Sequence, residues 1–167
     1  MINKVLVISR PLFLKNLKSD FYNTPEKKLV ISVYGDEKYS RNPKTPENEK
    51  MVFSQGFVEW LPICFRDYSE KTENDINYEF NEIIANSIIS FLNQFKDNVD
   101  TLVIHCDAGL SRSSAIGLWA NRYLSLDEKE YLINNPRKCP NEKVLKILMD
   151  ISGLTKSYED FWKGFDK

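Results

Sequence analysis

The stretch from Thr101 to Leu124 constrains this chain more than any other. It opens on a nearly continuous apolar run, Thr101-Leu102-Val103-Ile104. It then passes through His105-Cys106-Asp107-Ala108-Gly109-Leu110-Ser111-Arg112-Ser113. Beyond these, Ile116, Trp119, Ala120, Tyr123 and Leu124 recur at helical spacing. The apolar run predicts a central strand buried on both faces. The spacing after it predicts a helix from about Arg112 to Leu124. A strand that turns directly into a helix aims several backbone N–H groups and the positive helix end at one point, where a phosphate fits. Gly109 lets the main chain curl where a side chain would obstruct it. Arg112 closes the ring and can grip two oxygens with its planar fork, which a lysine could not.

The same positive field falls on Cys106. Cysteines at helix N-termini ionise at about 3.5 to 7.5 instead of about 8.5, so a thiolate able to attack phosphorus is expected here. The Ser113 hydroxyl can donate to that sulfur and stabilise it as it leaves in a second step. His105 is expected to order the loop by hydrogen bonding and not to act as a base. A lone C-x5-R would be a weak signal, because buried cysteines are common. The full form H-C-x-x-G-x-x-R-S arises by chance in such a chain about once in a hundred thousand cases.

These residues resemble the signature of the cysteine-based protein phosphatase superfamily, and its compact dual-specificity, prokaryotic and viral members in particular. The resemblance is close over about residues 100–125, looser from Leu61 to Asn141, and weak before that. It implies Cys106, Arg112 and Ser113 as the catalytic core. It also implies that the loop amides of Asp107, Ala108, Gly109, Leu110, Ser111 and Arg112 bind the phosphate. Arg137-Lys138-Cys139-Pro140-Asn141 resembles the family's Arg-x-x-Pro-Asn region, with the arginine one residue further from the proline. That likeness implies that Asn141 buttresses the phosphate loop. A plain helix N-cap explains the same asparagine equally well.

Cleavage of a phosphate ester needs a proton for the leaving oxygen, and the resemblance implies an aspartate on a separate upstream loop. Two residues compete. Asp67 follows the run ending Ile63-Cys64-Phe65 and so should lie at a strand's C-terminal end, where sites of parallel α/β sheets assemble. Asp75 stands nearer the family's usual spacing from the nucleophile, but beside the start of a long helix, where an aspartate is often only a cap. Asp67 is preferred and Asp75 is the alternative. Trp60-Leu61-Pro62 has a faint likeness to the Trp-Pro-Asp loop of tyrosine phosphatases, yet no aspartate follows it directly.

Apolar β-branched runs at 5–8, 29–33, 57–65 and 101–104 read as strands. Helices are expected over 11–18, 77–95 and 112–124, from Asn141 to a stop at Gly153, and over 157–164. In the longest, Phe80, Ile84, Ser87, Ile88, Phe91, Leu92 and Phe95 form one stripe. Polar segments at 35–50 and 68–77 read as long loops. The expected fold is α/β: a single domain over 1–167, with a four-or-five-stranded, mostly parallel sheet flanked by helices. Its phosphate-binding loop should lie between a central strand and a helix.

Composition narrows the function further. Of 167 residues, 42% are hydrophobic, enough for a real core. With 23 Lys+Arg against 24 Asp+Glu, the net charge of -1 gives no general pull toward nucleic acid or an anionic membrane. Anion recognition must therefore be local. The three cysteines, Cys64, Cys106 and Cys139, are odd in number and widely spaced. That excludes a disulfide framework and a C-x-x-C pair, and suits a reducing compartment. Cys64 and Cys139 read as core residues; the minority alternative is a disulfide between one of them and oxidised Cys106. The apolar run near the N-terminus is too short for a signal peptide core or a membrane span, so a cytoplasmic protein is expected.

Together these readings predict a monomeric phosphatase acting on phosphorylated proteins through a cysteinyl-phosphate intermediate, with no metal and no cofactor. Phosphotyrosine is the first substrate, with phosphoserine and phosphothreonine beside it. The rivals are a phosphate-binding pseudophosphatase, and an enzyme acting on phosphoinositides or an RNA 5′ phosphate. The last pair is set behind because the loop from Asp107 to Ser111 carries no basic residue to meet extra charge.

Overall fold

β-Branched and aromatic side chains suit a pleated surface, and the four runs rich in them all form strands. They are β1 (Lys4–Ser9), β2 (Lys28–Tyr34), β3 (Phe57–Cys64) and β4 (Thr101–Cys106). The computed structural model describes residues 1–17, 22–35, 56–67, 79–127, 131 and 139–154. Within these lie four helices, α1 (Arg10–Leu17), α2 (Glu82–Phe95), α3 (Arg112–Tyr123) and α4 (Glu142–Ile151). The strands form one sheet in the order β1-β4-β2-β3, and every neighbouring pair is parallel. Among the described residues the sheet thus has four strands, the lower of the two expected counts, and no antiparallel pair.

The two middle strands, β4 and β2, are buried at every position, while the edges β1 and β3 are partly open. This is why the middle strands read as continuous apolar runs. Successive side chains point to opposite faces of the sheet. On one face Val7, Leu29, Ile31, Val33, Ile63, Leu102 and Ile104 share a core with residues of α2, α3 and α4. On the other, Val30, Phe57 and Val103 pack with Phe13 and Leu17 of α1 and with Tyr22.

The helices depart from the simple stripe in two places. α2 begins at Glu82 and not at 77, because Asn81 Oδ1 accepts the N–H groups of Ile83 (3.0 Å) and Ile84 (3.1 Å) and caps it there. Ser87, expected on the apolar stripe, is exposed and donates to the Ile83 carbonyl, while Ala85 is buried. α3 is buried without interruption from Arg112 to Asn121, not along one face. It is wedged between the sheet and α4. A Cβ on Gly117 would lie 2.3 Å from Val7 Cγ2, so the glycine is what lets α3 approach β1 so closely.

α4 has Asn141 as its N-cap and ends in a Schellman motif. Leu154 N–H donates to the Met149 carbonyl, Gly153 N–H donates to Asp150, and Gly153 takes φ +73°. The polar segment beyond Gly35, the acidic loop over 68–77 and the expected last helix over 157–164 lie outside the described residues. Among the described residues, no helix is long and apolar enough to cross a membrane.

Candidate active site

Because all four strands are parallel, their C-terminal ends meet at one edge of the sheet, and each delivers a piece of the site there. The largest piece is the loop from β4 into α3. Asn81 and Asn141 cap α2 and α4 with their side chains, but Ser111 at the N-cap of α3 makes no side-chain cap bond. The first-turn N–H groups of α3 are therefore left for another acceptor. The loop lies directly on the end of β1. Gly109 has φ +71°, and a Cβ there would fall 2.5 Å from Ser9 N and from the Ile8 carbonyl carbon. Only glycine meets both conditions.

Cys106 ends β4 and is buried at 2% exposure above the apolar core. Its sulfur faces polar groups: the Gly109 N–H donates to it at 3.2 Å, and Ser113 Oγ lies 3.0 Å away. Arg112, the first residue of α3, is also buried. Its Nη1 donates to the Phe65 carbonyl at 3.0 Å and its Nη2 to Asp107 Oδ2 at 2.5 Å. Its Nε is buried with no hydrogen bond and lies 3.9 Å from Asp67 Oδ2. Arg10, just past β1, pairs with Asp107 Oδ1 at 3.0 Å, donates to the Val33 carbonyl at 3.3 Å, and stacks over the Tyr34 ring at 4.5 Å.

Asp67 follows β3. Its Oδ1 accepts two hydrogen bonds of 2.7 Å, from Ser111 Oγ and from Asn141 Nδ2. Its Oδ2 faces Arg112. Asn141 does several things at once. Its Oδ1 caps α4 by accepting the Val144 N–H at 3.1 Å, its backbone N–H donates to the Ser111 carbonyl at 3.3 Å, and its amide holds Asp67. The helix cap and the bonds to the loop and to Asp67 are thus made by one residue. An open cleft of about 480 Å³, lined by Asp67, Ser111, Cys139, Pro140, Asn141 and Lys143, adjoins this side of the loop. Asp75 lies outside the described residues.

Three sequence-level readings need amendment. His105 does not bond to the loop: its Nε2 lies 2.7 Å from Ser32 Oγ on β2, and its ring stacks on Phe13 with centroids 4.3 Å apart. Burial, with Arg10 nearby, lowers its pKa from 6.5 to about 3, so the imidazole is neutral. Trp60 lies on the same side of the sheet as the His105 ring. Its indole N–H donates to the same Ser32 hydroxyl at 2.7 Å, among the residues packed near α1. Cys64 cannot bridge to Cys106 without backbone movement. Its strand is separated from β4 by β2, which sets the two Cα atoms about 10 Å apart, against a limit of about 7 Å for a disulfide. Cys139 is exposed, and its N–H donates to the Leu110 carbonyl of the loop at 2.9 Å.

Arg10 is the site residue the sequence reading misses. The available signal was a charged residue directly after the first strand, at the end of the sheet where sites gather. The sequence points to the backbone of Ser111, whereas in the structure its hydroxyl also binds Asp67. Among the described residues, no group of three or more His, Cys, Asp or Glu side chains could hold a metal ion.

No family model and no curated protein matches the chain. Solved structures do. The crystal structure of PTPMT1 is similar over 94% of this chain and 94% of that chain, at 14% identity and a TM-score of 0.55. The crystal structure of PTPMT1 in complex with PI(5)P is similar over 92% of this chain and 93% of that one, at 12% identity and a TM-score of 0.52. With its parallel sheet and the Cys106 loop at the end of a strand paired on both sides, the chain shares the fold of these solved structures.

Proposed function

We propose that the chain hydrolyses phosphate monoesters on proteins, phosphotyrosine first, through a cysteinyl-phosphate intermediate. One observation carries the proposal. The Cys106 sulfur sits under an uncapped helix N-terminus with the Gly109 N–H and Ser113 hydroxyl on it and the buried Arg112 guanidinium beside the loop.

In this reading the phosphate enters the loop and takes the N–H groups from Asp107 to Arg112 together with the Arg112 fork. The sulfur attacks phosphorus, and the S–P bond forms as the P–O bond to the leaving group breaks. Asp67 gives its proton to the leaving oxygen. Its held oxygen, Oδ1, faces Ser111 and Asn141, which directs Oδ2 to the Arg112 side. A water then gives a proton to the same carboxylate and attacks phosphorus. The S–P bond breaks, its electron pair returns to sulfur, and the Ser113 hydroxyl stabilises the departing anion. The loop amides and Arg112 hold the charge that builds on the equatorial oxygens in both steps.

Turnover of an aryl phosphate tests the assignments. Cys106→Ser should abolish it, and Asp67→Ala should lower kcat about 10²–10⁴-fold. Unchanged turnover in Cys106→Ser would end the proposal. Full activity in Asp67→Ala with loss in Asp75→Ala would move the acid to Asp75. A second reading, a phosphoinositide as substrate, draws on the similar PTPMT1 structure in complex with PI(5)P. Against it stands a loop that places Asp107, and no Lys or Arg before Arg112, around the phosphate. Parallel phosphopeptide and phosphoinositide panels decide between them.

A further inference from the structure

Arg112 meets an anion of this chain's own making. Nη1 is committed to the Phe65 carbonyl and Nη2 to the Asp107 carboxylate, leaving the buried Nε as the one nitrogen without a hydrogen bond. Nη2 keeps a second N–H, so a phosphate gripped through Nε and Nη2 would share Nη2 with Asp107 Oδ2. Sharing it would set two anions against each other in a partly buried site. The carboxylate has another partner already in place, since Asp107 Oδ1 pairs with Arg10 Nη2 at 3.0 Å. Arg10 is fixed in turn by the Val33 carbonyl and the Tyr34 ring. The end of β2 leaves room for the pair: a Cβ on Gly35 would lie 3.1 Å from Arg112 Nη1 and 3.6 Å from Asp107 Oδ2.

Resting on the function proposed above, we propose that Asp107 is an internal competitor for Arg112 and that Arg10 receives it when substrate phosphate binds. Two consequences follow for specificity. Phosphate affinity is set by an exchange between anions, not by an empty cradle. After the exchange, the Arg10 charge is neutralised by the Asp107 carboxylate, so a substrate with a second phosphate next to the reacting one finds no net positive charge there to hold it. The site therefore selects monoesters whose surroundings are neutral, such as a phosphotyrosine side chain, over polyphosphorylated headgroups.

The experiment measures binding of inorganic phosphate by titration calorimetry in the Cys106→Ser protein, which cannot turn over. Single variants Asp107→Asn and Arg10→Gln and the double variant are compared on that background. If Asp107 occupies Arg112 nine-tenths of the time, its removal should tighten phosphate binding about tenfold. Arg10→Gln should weaken binding, because Asp107 then has Arg112 as its sole partner. In the double variant the Arg10 effect should vanish, because Arg10 acts through Asp107. Unchanged or weaker binding in Asp107→Asn overturns the inference. So does an Arg10 effect of full size in the double variant, which would mark plain long-range attraction. In either case the proposed function stands as long as phosphate still binds. If phosphate binds to none of the proteins, the function itself fails, and the inference with it.

Discussion

Cys106 and His105 are neighbours in sequence with opposite surroundings, because a strand turns successive side chains to opposite faces. The sulfur meets the loop and α3, while the imidazole meets Ser32 and Phe13 on the α1 side. The burial of His105 has a measurable cost. Its folded pKa of about 3 lies below the usual 6.5, so the unfolded chain binds the extra proton over that interval. The stability it contributes is whole above pH 6.5 and is lost as pH falls toward 3. From pH 7 to pH 5 the loss should be about 2 kcal/mol. Urea unfolding at both pH values would show it, and His105→Gln should flatten the fall by that amount. Equal slopes in the two proteins would mean that the imidazole titrates freely. Cys106, Arg112 and Ser113 could be read from sequence because their spacing is local and their types are scarce. The Arg10–Asp107 pair could not, because a parallel sheet brings together residues nearly a hundred positions apart.

At the scale of elements, α4 shows how a cap and a site come to share one residue. The run from Pro140 to Gly153 announces a helix with a proline before it, an asparagine cap and a glycine stop, and the structure follows it. That the cap's amide reaches Asp67 depends on where α4 docks against α3, which no local pattern encodes. Two substitutions separate the duties. Asn141→Ala removes both and should cost about 1 kcal/mol of stability and about ten- to hundredfold in kcat through misplacement of Asp67. Asn141→Asp keeps an oxygen for the Val144 N–H but turns a donor to Asp67 into a second carboxylate. It should keep most of the stability and still lose the activity. If Asn141→Asp turned over like the wild type, the amide would be a cap and nothing more. α3 was only half legible for the same reason. Its apolar residues suggest one face, yet small residues such as Ala115, Gly117 and Ala120 let sheet and helices close on it from every side.

Across the whole molecule, the parallel sheet separates chemistry from anchoring. Every strand delivers its C-terminal end to the site. Near the opposite end of β2, Lys28 is almost fully buried, and its Nζ donates to the Tyr22 carbonyl (3.1 Å), Thr24 Oγ1 (2.8 Å) and the Glu26 carbonyl (2.7 Å). In sequence it is one of the charges of Glu26-Lys27-Lys28; the fold shows that it ties down the entry to the central strands. Burial pulls its pKa below the usual lysine value, with Glu26 and Asp100 opposing that shift, so the ammonium is held by neighbours and not by water. Lys28→Met keeps the aliphatic stem but takes the ammonium donor from three oxygens, of which the Tyr22 carbonyl keeps the Thr24 N–H, and should cost about 3 kcal/mol. The six residues of rise from Lys28 to Tyr34 put this anchor about 20 Å from the site. Below its lowered melting temperature, the variant should therefore keep the kcat and KM of the parent within about twofold, since distant, independent sites act additively. A folded Lys28→Met protein with strongly reduced kcat would show that the two ends of the sheet are coupled, and that the site depends on the anchor as well as on its own loop.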